Sequence, residues 1–182
     1  MRATLWILLV PLVAASCTTA NGPAFRAETA RSAFSGSWSD TTLTRPGNRN
    51  ELEVTTMATD FSMGVFVNPE IEGGVKVGFF DQDAGKSRLR SWDASAYGRY
   101  YFQSTGTLRP WGEAQLGYAQ GRDQGVSDTA VFWGVGAGMT QFLTDSTAVE
   151  LSLDYDQRSF AFRGGDTDIA TTALTIAYSI FF

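Results

Sequence analysis

Residues 174–182 read Leu174-Thr175-Ile176-Ala177-Tyr178-Ser179-Ile180-Phe181-Phe182. Leu174, Ile176, Tyr178, Ile180 and Phe182 occupy every second position, with Thr175, Ala177 and Ser179 between them. A period of two is that of a β-strand with one large apolar face and one small or polar face. Phe181-Phe182 stands where a soluble chain usually frays into solvent. The apolar face therefore needs a cover, either a bilayer or the interior of a secreted sandwich.

The same alternation recurs upstream. Val149-Glu150-Leu151-Ser152-Leu153-Asp154-Tyr155-Asp156 alternates without a fault, and Ile71, Val75, Val77 and Phe79 oppose Glu72 and Lys76. Turn-forming clusters divide the chain into eight expected strands, at about 34–44, 52–67, 71–80, 92–102, 110–119, 131–142, 149–156 and 167–182. The phase slips near Ala58-Thr59-Asp60, where a bulge or break is expected. Connections at Asn68-Pro69, 103–107 and 143–146 are short. Those at 81–90 and 120–128 are longer and polar, as outer loops of a membrane barrel are. The spacing leaves about 20 residues for each strand and its connection, enough for the 9–11 that cross a bilayer.

Composition agrees. The hydrophobic share is 43% and the mean hydropathy is −0.10, and beyond the N-terminus no run of about 18 apolar residues could span as a helix. Strands that alternate hide their apolar residues in such an average. The N-terminus itself has Met1-Arg2, an apolar run from Leu5 to Ala15, and small residues after it. It reads as an export signal over residues 1–20. Cys17 is the only cysteine and follows Val13-Ala14-Ala15-Ser16, which reads as a lipobox. Two acyl chains there would anchor the mature chain, whereas cleavage after Thr18-Thr19-Ala20 would discard the cysteine. Residues 21–33 read as a flexible linker and 34–182 as the barrel.

The ionisable residues of the strands fall on one face: Glu72, Lys76, Asp93, Arg99, Glu113, Glu150, Asp154 and Asp156. Alternation alone does not say which face is inside. The aromatics point to an answer, because Phe66, Tyr100, Phe102, Trp111, Phe142 and Phe182 fall at one set of strand ends. Phe79, Trp92, Tyr118, Trp133 and Tyr155 fall at the other. Two belts suit two membrane–water interfaces. The charged face then lines a polar lumen, with Gly74, Gly78, Gly117, Gly134, Gly136 and Gly138 giving room. Eight strands leave an interior that side chains fill, which argues against a wide channel.

Little of the chain suggests catalysis. With no histidine, Ser-His-Asp, Cys-His and His-ligated metal sites are excluded. Asp81, Asp83, Asp166 and Asp168 suit solvated loops better than a divalent-cation site. A net charge of −5 argues against nucleic acid. Lys86, Arg88 and Arg90 form the basic cluster, in an expected outer loop within reach of lipopolysaccharide phosphates. No catalytic, metal or cofactor site is expected.

Gly64-Val65-Phe66-Val67-Asn68-Pro69-Glu70-Ile71-Glu72-Gly73-Gly74, Arg99-Tyr100-Tyr101-Phe102, Pro110-Trp111-Gly112-Glu113-Ala114 and Gly134-Val135-Gly136-Ala137-Gly138 follow one another in order. With Phe142-Leu143-Thr144-Asp145 and the C-terminal strand, this region resembles small outer-membrane β-barrels of the OmpA/OmpX type and opacity-like porins. The resemblance covers about 52–182. It implies an all-β, transmembrane, up-and-down antiparallel barrel of about eight strands in the cell outer membrane of a Gram-negative bacterium. It also implies that Tyr178, Ile180 and Phe182 form the insertion signal read by the barrel assembly machinery. Outer-membrane lipid and lipopolysaccharide would be its surroundings. The role that follows is a non-enzymatic one, structural or in surface interaction, with a plugged polar lumen. The alternatives are a narrow channel for small solutes and a soluble lipocalin-like binding barrel. Oligomeric state is left open.

Overall fold

The computed structural model describes residues 25–44, 52–83, 88–103, 105–123, 126–162 and 165–182. Eight strands follow in order: β1 Ala30–Thr44, β2 Leu52–Asn68, β3 Ile71–Asp83, β4 Arg88–Tyr101, β5 Leu108–Asp123, β6 Val126–Phe142, β7 Thr147–Phe162 and β8 Gly165–Phe181. Each pairs antiparallel with its chain neighbours, and β8 pairs with β1 to close the barrel. The closing register sets Phe34 opposite Tyr178 and Gly36 opposite Ile176. Closure leaves no strand edge unpaired, which is what a bilayer without hydrogen-bond partners requires.

The period-two pattern sorts itself by size and polarity. On β8, Leu174, Ile176, Tyr178 and Ile180 are exposed outward, while Thr171, Ala173, Ala177 and Ser179 are buried inside. The outward apolar face extends around every strand, through Phe61, Val75, Leu116, Val135 and Leu153. The charges sit within. This is the inverse of a lipocalin, whose inside is apolar and whose outside is wet, so the soluble lipocalin-like alternative does not hold.

The outward belt is placed asymmetrically along the strands. At the end carrying Phe182, exposed Phe102 and Leu143 come right up to the turns. Near the other end Trp92, Tyr118, Trp133 and Tyr155 mark the belt's upper limit, and beyond them Arg90, Gln120, Thr129, Ser159 and Asp168 are exposed. The barrel thus overhangs its belt at the end away from Phe182. Outer-membrane barrels carry their longer extramembrane parts on the outside, which makes this the outer end.

The structure departs from four sequence expectations. First, the segments expected as long polar loops at 81–90 and 120–128 are largely strand, with β3 running to Asp83 and β6 starting at Val126. Backbone pairing continues beyond the belt, where Arg90, Gln120 and Thr129 are exposed and polar. Second, β2 is unbroken at Ala58-Thr59-Asp60, where Ser37, Gly36 and Ser35 pair in step. Small Ala58 turns inward and Thr59 outward, so polarity inverts while the backbone does not. The register shift lies instead between Phe66 and Asn68. Third, β1 begins at Ala30 rather than 34, and the preceding residues fold back on the barrel. Fourth, Phe66, Trp111 and Phe142 belong to no belt: all three are buried inside, and only Tyr100, Phe102 and Phe182 of that expected set face outward. The inner mouth of the barrel is closed by rings, and those rings must point in.

Candidate functional site in the barrel lumen

Inward-facing residues of the strands stack in layers up the lumen. At the inner mouth Phe25, Phe66, Tyr101, Trp111, Phe142, Ala148 and Phe181 form one buried apolar cluster. Phe25 precedes the first strand and is brought there by a tight turn. The Glu28 amide donates to the Phe66 carbonyl at 2.9 Å, and the Thr29 amide donates to the Arg26 carbonyl at 3.1 Å. Glu28 is left-handed, with φ of 77°, a strain of about 1 kcal/mol that burial of the Phe25 ring offsets. That ring stacks on Phe66 at 4.0 Å and lies 5.3 Å from Phe181. The Arg109 guanidinium covers Phe25 at 4.0 Å and Phe142 at 4.6 Å.

Above this cluster lies a balanced ionic layer of three carboxylates and three cations. Glu150 of β7 accepts from Arg31 of β1 through Nε at 2.9 Å and Nη2 at 3.0 Å. It also accepts from Arg99 Nη1 of β4 at 2.8 Å and from the Ser179 hydroxyl of β8. Glu72 accepts from Arg31 Nη1 at 2.9 Å, from the Tyr97 hydroxyl, and from the Tyr101 hydroxyl at 3.1 Å. Glu113 takes Lys76 Nζ at 2.6 Å and the Arg99 Nε and Nη2 groups at 3.0 and 2.8 Å. The Arg99 guanidinium lies 3.7 Å from the Trp111 ring centroid. Arg31, Glu72, Arg99 and Glu150 are at most 5% exposed. Charges this deep are tolerated only when paired and hydrogen-bonded throughout, and each of these is.

Higher still, Arg158 pairs with Asp93 at 3.1 Å and with Asp156 at 2.9 Å, and lies over the Phe132 ring at 4.8 Å. Asp154 accepts from the Ser152 hydroxyl at 2.7 Å, and Asp60 lines the same space. This layer is acidic, four aspartates against one arginine among the described residues. On the β5–β8 side, Ala119, Ala130, Phe132, Phe160 and Ile169 form a second apolar cluster toward the outer end. The cavity left among all these layers is about 90 Å³, the volume of a few waters.

The sequence-derived lumen residues are therefore brought together in two groups. Glu72, Lys76, Arg99, Glu113 and Glu150 share the ionic layer, while Asp93, Asp154 and Asp156 lie above it. Sequence reading missed Arg31, Tyr97, Tyr101, Arg158 and Phe25. Arg158 continues the Glu150, Ser152, Asp154, Asp156 series at the same period, so its signal was present. Arg31 lay in the segment read as linker. Tyr178, Ile180 and Phe182 are exposed on the outward face, and Phe182 exchanges backbone hydrogen bonds with Ala30 at 2.8 and 3.0 Å. Arg90 is exposed outward at the outer end of the belt. Arg88 opens β4. Lys86 and Cys17 lie outside the described residues, as does the expected export signal. Among the described residues no group of carboxylates or cysteine is arranged to hold a metal ion.

The sequence model of the outer membrane protein beta-barrel domain matches residues 7–182. The chain belongs to that family. Outer membrane protein beta-barrel domains reside in the cell outer membrane, and the outward apolar belt is this chain's lipid-facing surface. Solved structures share the architecture at low identity. The Neisserial surface protein A has a TM-score of 0.66 at 12% identity, over 83% of this chain and 97% of that one. The N-terminal β-barrel domain of Pseudomonas aeruginosa OprF has a TM-score of 0.51 at 17% identity, over 81% and 97%. Ail of Yersinia pestis, the attachment invasion locus protein, has a TM-score of 0.50 at 12% identity, over 85% and 99%. Identities this low carry the fold and no residue role. No curated protein matches the sequence significantly.

Proposed function

We propose that this outer-membrane barrel is a non-enzymatic envelope protein with a closed lumen, a scaffold that presents its overhanging outer end to the surroundings of the cell. One observation carries the reading: Glu150 ties Arg31 and Arg99, and so β1, β4 and β7, together across the lumen. A solute passing through would have to break buried, fully paired charges, at a cost of several kcal/mol each. Phe25 adds a second barrier beneath them. The chain has no histidine for general-base or metal chemistry, and among the described residues the buried carboxylates Glu72, Asp93, Glu113, Glu150 and Asp156 are each spent on an arginine or lysine. Insertion through the barrel assembly machinery is part of this reading.

The test is ion conductance of the purified, refolded protein in planar bilayers. A silent membrane, with insertion checked by the faster migration of unboiled protein on SDS gels, is the expected result. Steady unitary conductance sinks the closed-lumen reading. It would favour the narrow channel, for which the acidic layer of Asp60, Asp93, Asp154 and Asp156 predicts cation preference.

A further inference from the structure

The outward belt has a gap. Along the pairing direction Ile176, Gly36, Thr59 and Phe79 form one row, and Leu174, Trp38 and Met57 form the row above it. Gly36 has no side chain and Thr59 a short one, so a cavity of about 690 Å³ with mostly apolar walls opens between these rows. A belt that merely dissolves in lipid needs no such recess. The upper row does not stay apolar: following the β2–β3 and β3–β4 register it reaches Arg90. Arg90 is exposed and is itself part of the cavity wall. Trp92, two residues below Arg90, donates its indole N–H to Gln120 at 2.8 Å. Aromatic rings with a polar partner settle at the membrane interface. Arg90 therefore stands at headgroup height on the outer side, with an apolar notch descending beside it.

We propose that this notch seats one acyl chain of a phosphorylated glycolipid of the outer leaflet, lipopolysaccharide in kind, whose phosphate meets Arg90. An apolar recess and a cation at its headgroup end together match one amphiphile. Arginine–phosphate contacts are short, charge-assisted and geometrically specific. The outer end carries the site, so the outer-leaflet lipid is the occupant rather than a phospholipid of the inner leaflet. The site is independent of whether the lumen conducts.

Native mass spectrometry of protein purified in mild detergent reads the fraction retaining one lipopolysaccharide molecule. A Cβ at Gly36 meets nothing within 4 Å, and the same holds at outward-facing Gly98 on β4. Gly36→Leu therefore fills the notch without touching the lumen, and Gly98→Leu is its control. Folding of each variant is confirmed by the unboiled gel shift. Arg90→Gln should lower retention about tenfold, the worth of one charge-assisted hydrogen bond. Gly36→Leu should lower it at least as far, and Gly98→Leu should leave it unchanged. Undiminished retention in either Arg90→Gln or Gly36→Leu overturns the proposal. So does equal, Arg90-dependent retention of added phosphatidylglycerol, because the site would then choose any anionic lipid.

Discussion

Arg31 of β1 and Glu150 of β7 meet side-on inside the barrel, Nε to Oε1 at 2.9 Å and Nη2 to Oε2 at 3.0 Å, although β8 separates their strands. Glu150 also holds Arg99 of β4, so one carboxylate sets the relative positions of three non-adjacent strands. Removing it takes one of two carboxylate partners from each buried guanidinium, leaving Arg31 to Glu72 and Arg99 to Glu113, and leaves the layer with an uncompensated positive charge. Glu150→Ala should cost about 3–5 kcal/mol, read as the urea midpoint for unfolding from lipid vesicles. Arg31→Ala combined with Glu150→Ala should cost clearly less than the sum of the two single changes. Strict additivity would show that the pair is not coupled.

Phe25 is buried against Phe66, Tyr101, Phe142 and Phe181 although it precedes the first strand. Phe25→Ala should cost about 3 kcal/mol, the lower end for truncating a buried ring. The ionic layer above it is untouched by that change, so the variant should remain silent in planar bilayers. Conductance from this single variant would make the ring, and not the charges, the lumen's barrier.

The lipid-facing assignment is tested on β6 and β5. Val135 is outward and mid-belt, whereas Gln120 lies beyond the aromatic limit. Val135→Arg should cost about 2–4 kcal/mol and Gln120→Arg between about 0 and 1, the depth dependence of arginine on a barrel's lipid face. Equal costs at the two sites would place the belt elsewhere.

Two glycines should behave oppositely. A Cβ at Gly74 would run into the Met63 carbonyl, the Gly64 Cα and the Tyr97 ring, whereas one at Gly98 meets nothing. Gly74→Ala should therefore destabilise by about 1–3 kcal/mol through overpacking. Gly98→Ala should gain about 0.4–1 kcal/mol by restricting the unfolded chain. Urea midpoints measured side by side decide it, and a neutral Gly74→Ala would mean that β2, β3 and β4 are packed more loosely there.

Much of the barrel was legible because period two is a local property of the chain. Leu151, Leu153 and Tyr155 against Glu150, Ser152 and Asp154 state both the strand and its two faces in six residues. The charges that share the lumen were found the same way. Where both parities are apolar, as at Val65-Phe66-Val67, or where polarity inverts, as at Ala58-Thr59, the pattern names no face. Those are the places where the reading failed. Polar segments such as 120–128 failed for a related reason, since a wet hairpin beyond the membrane has no apolar face to announce it.

Local pattern alone makes this chain an even set of amphipathic strands with apolar residues on one side and charges on the other. Alternation and turn chemistry act over a few residues, and no tertiary partner is needed to read them. Which charges pair was decided only by closure of the barrel. Arg31, Arg99 and Glu150 are 51 to 119 positions apart, and a one-residue slip in any of the eight pairings would turn a strand's charges into lipid. The burial of Phe25 was decided there too, because a ring outside every strand acquires a place only once a mouth exists for it to fill.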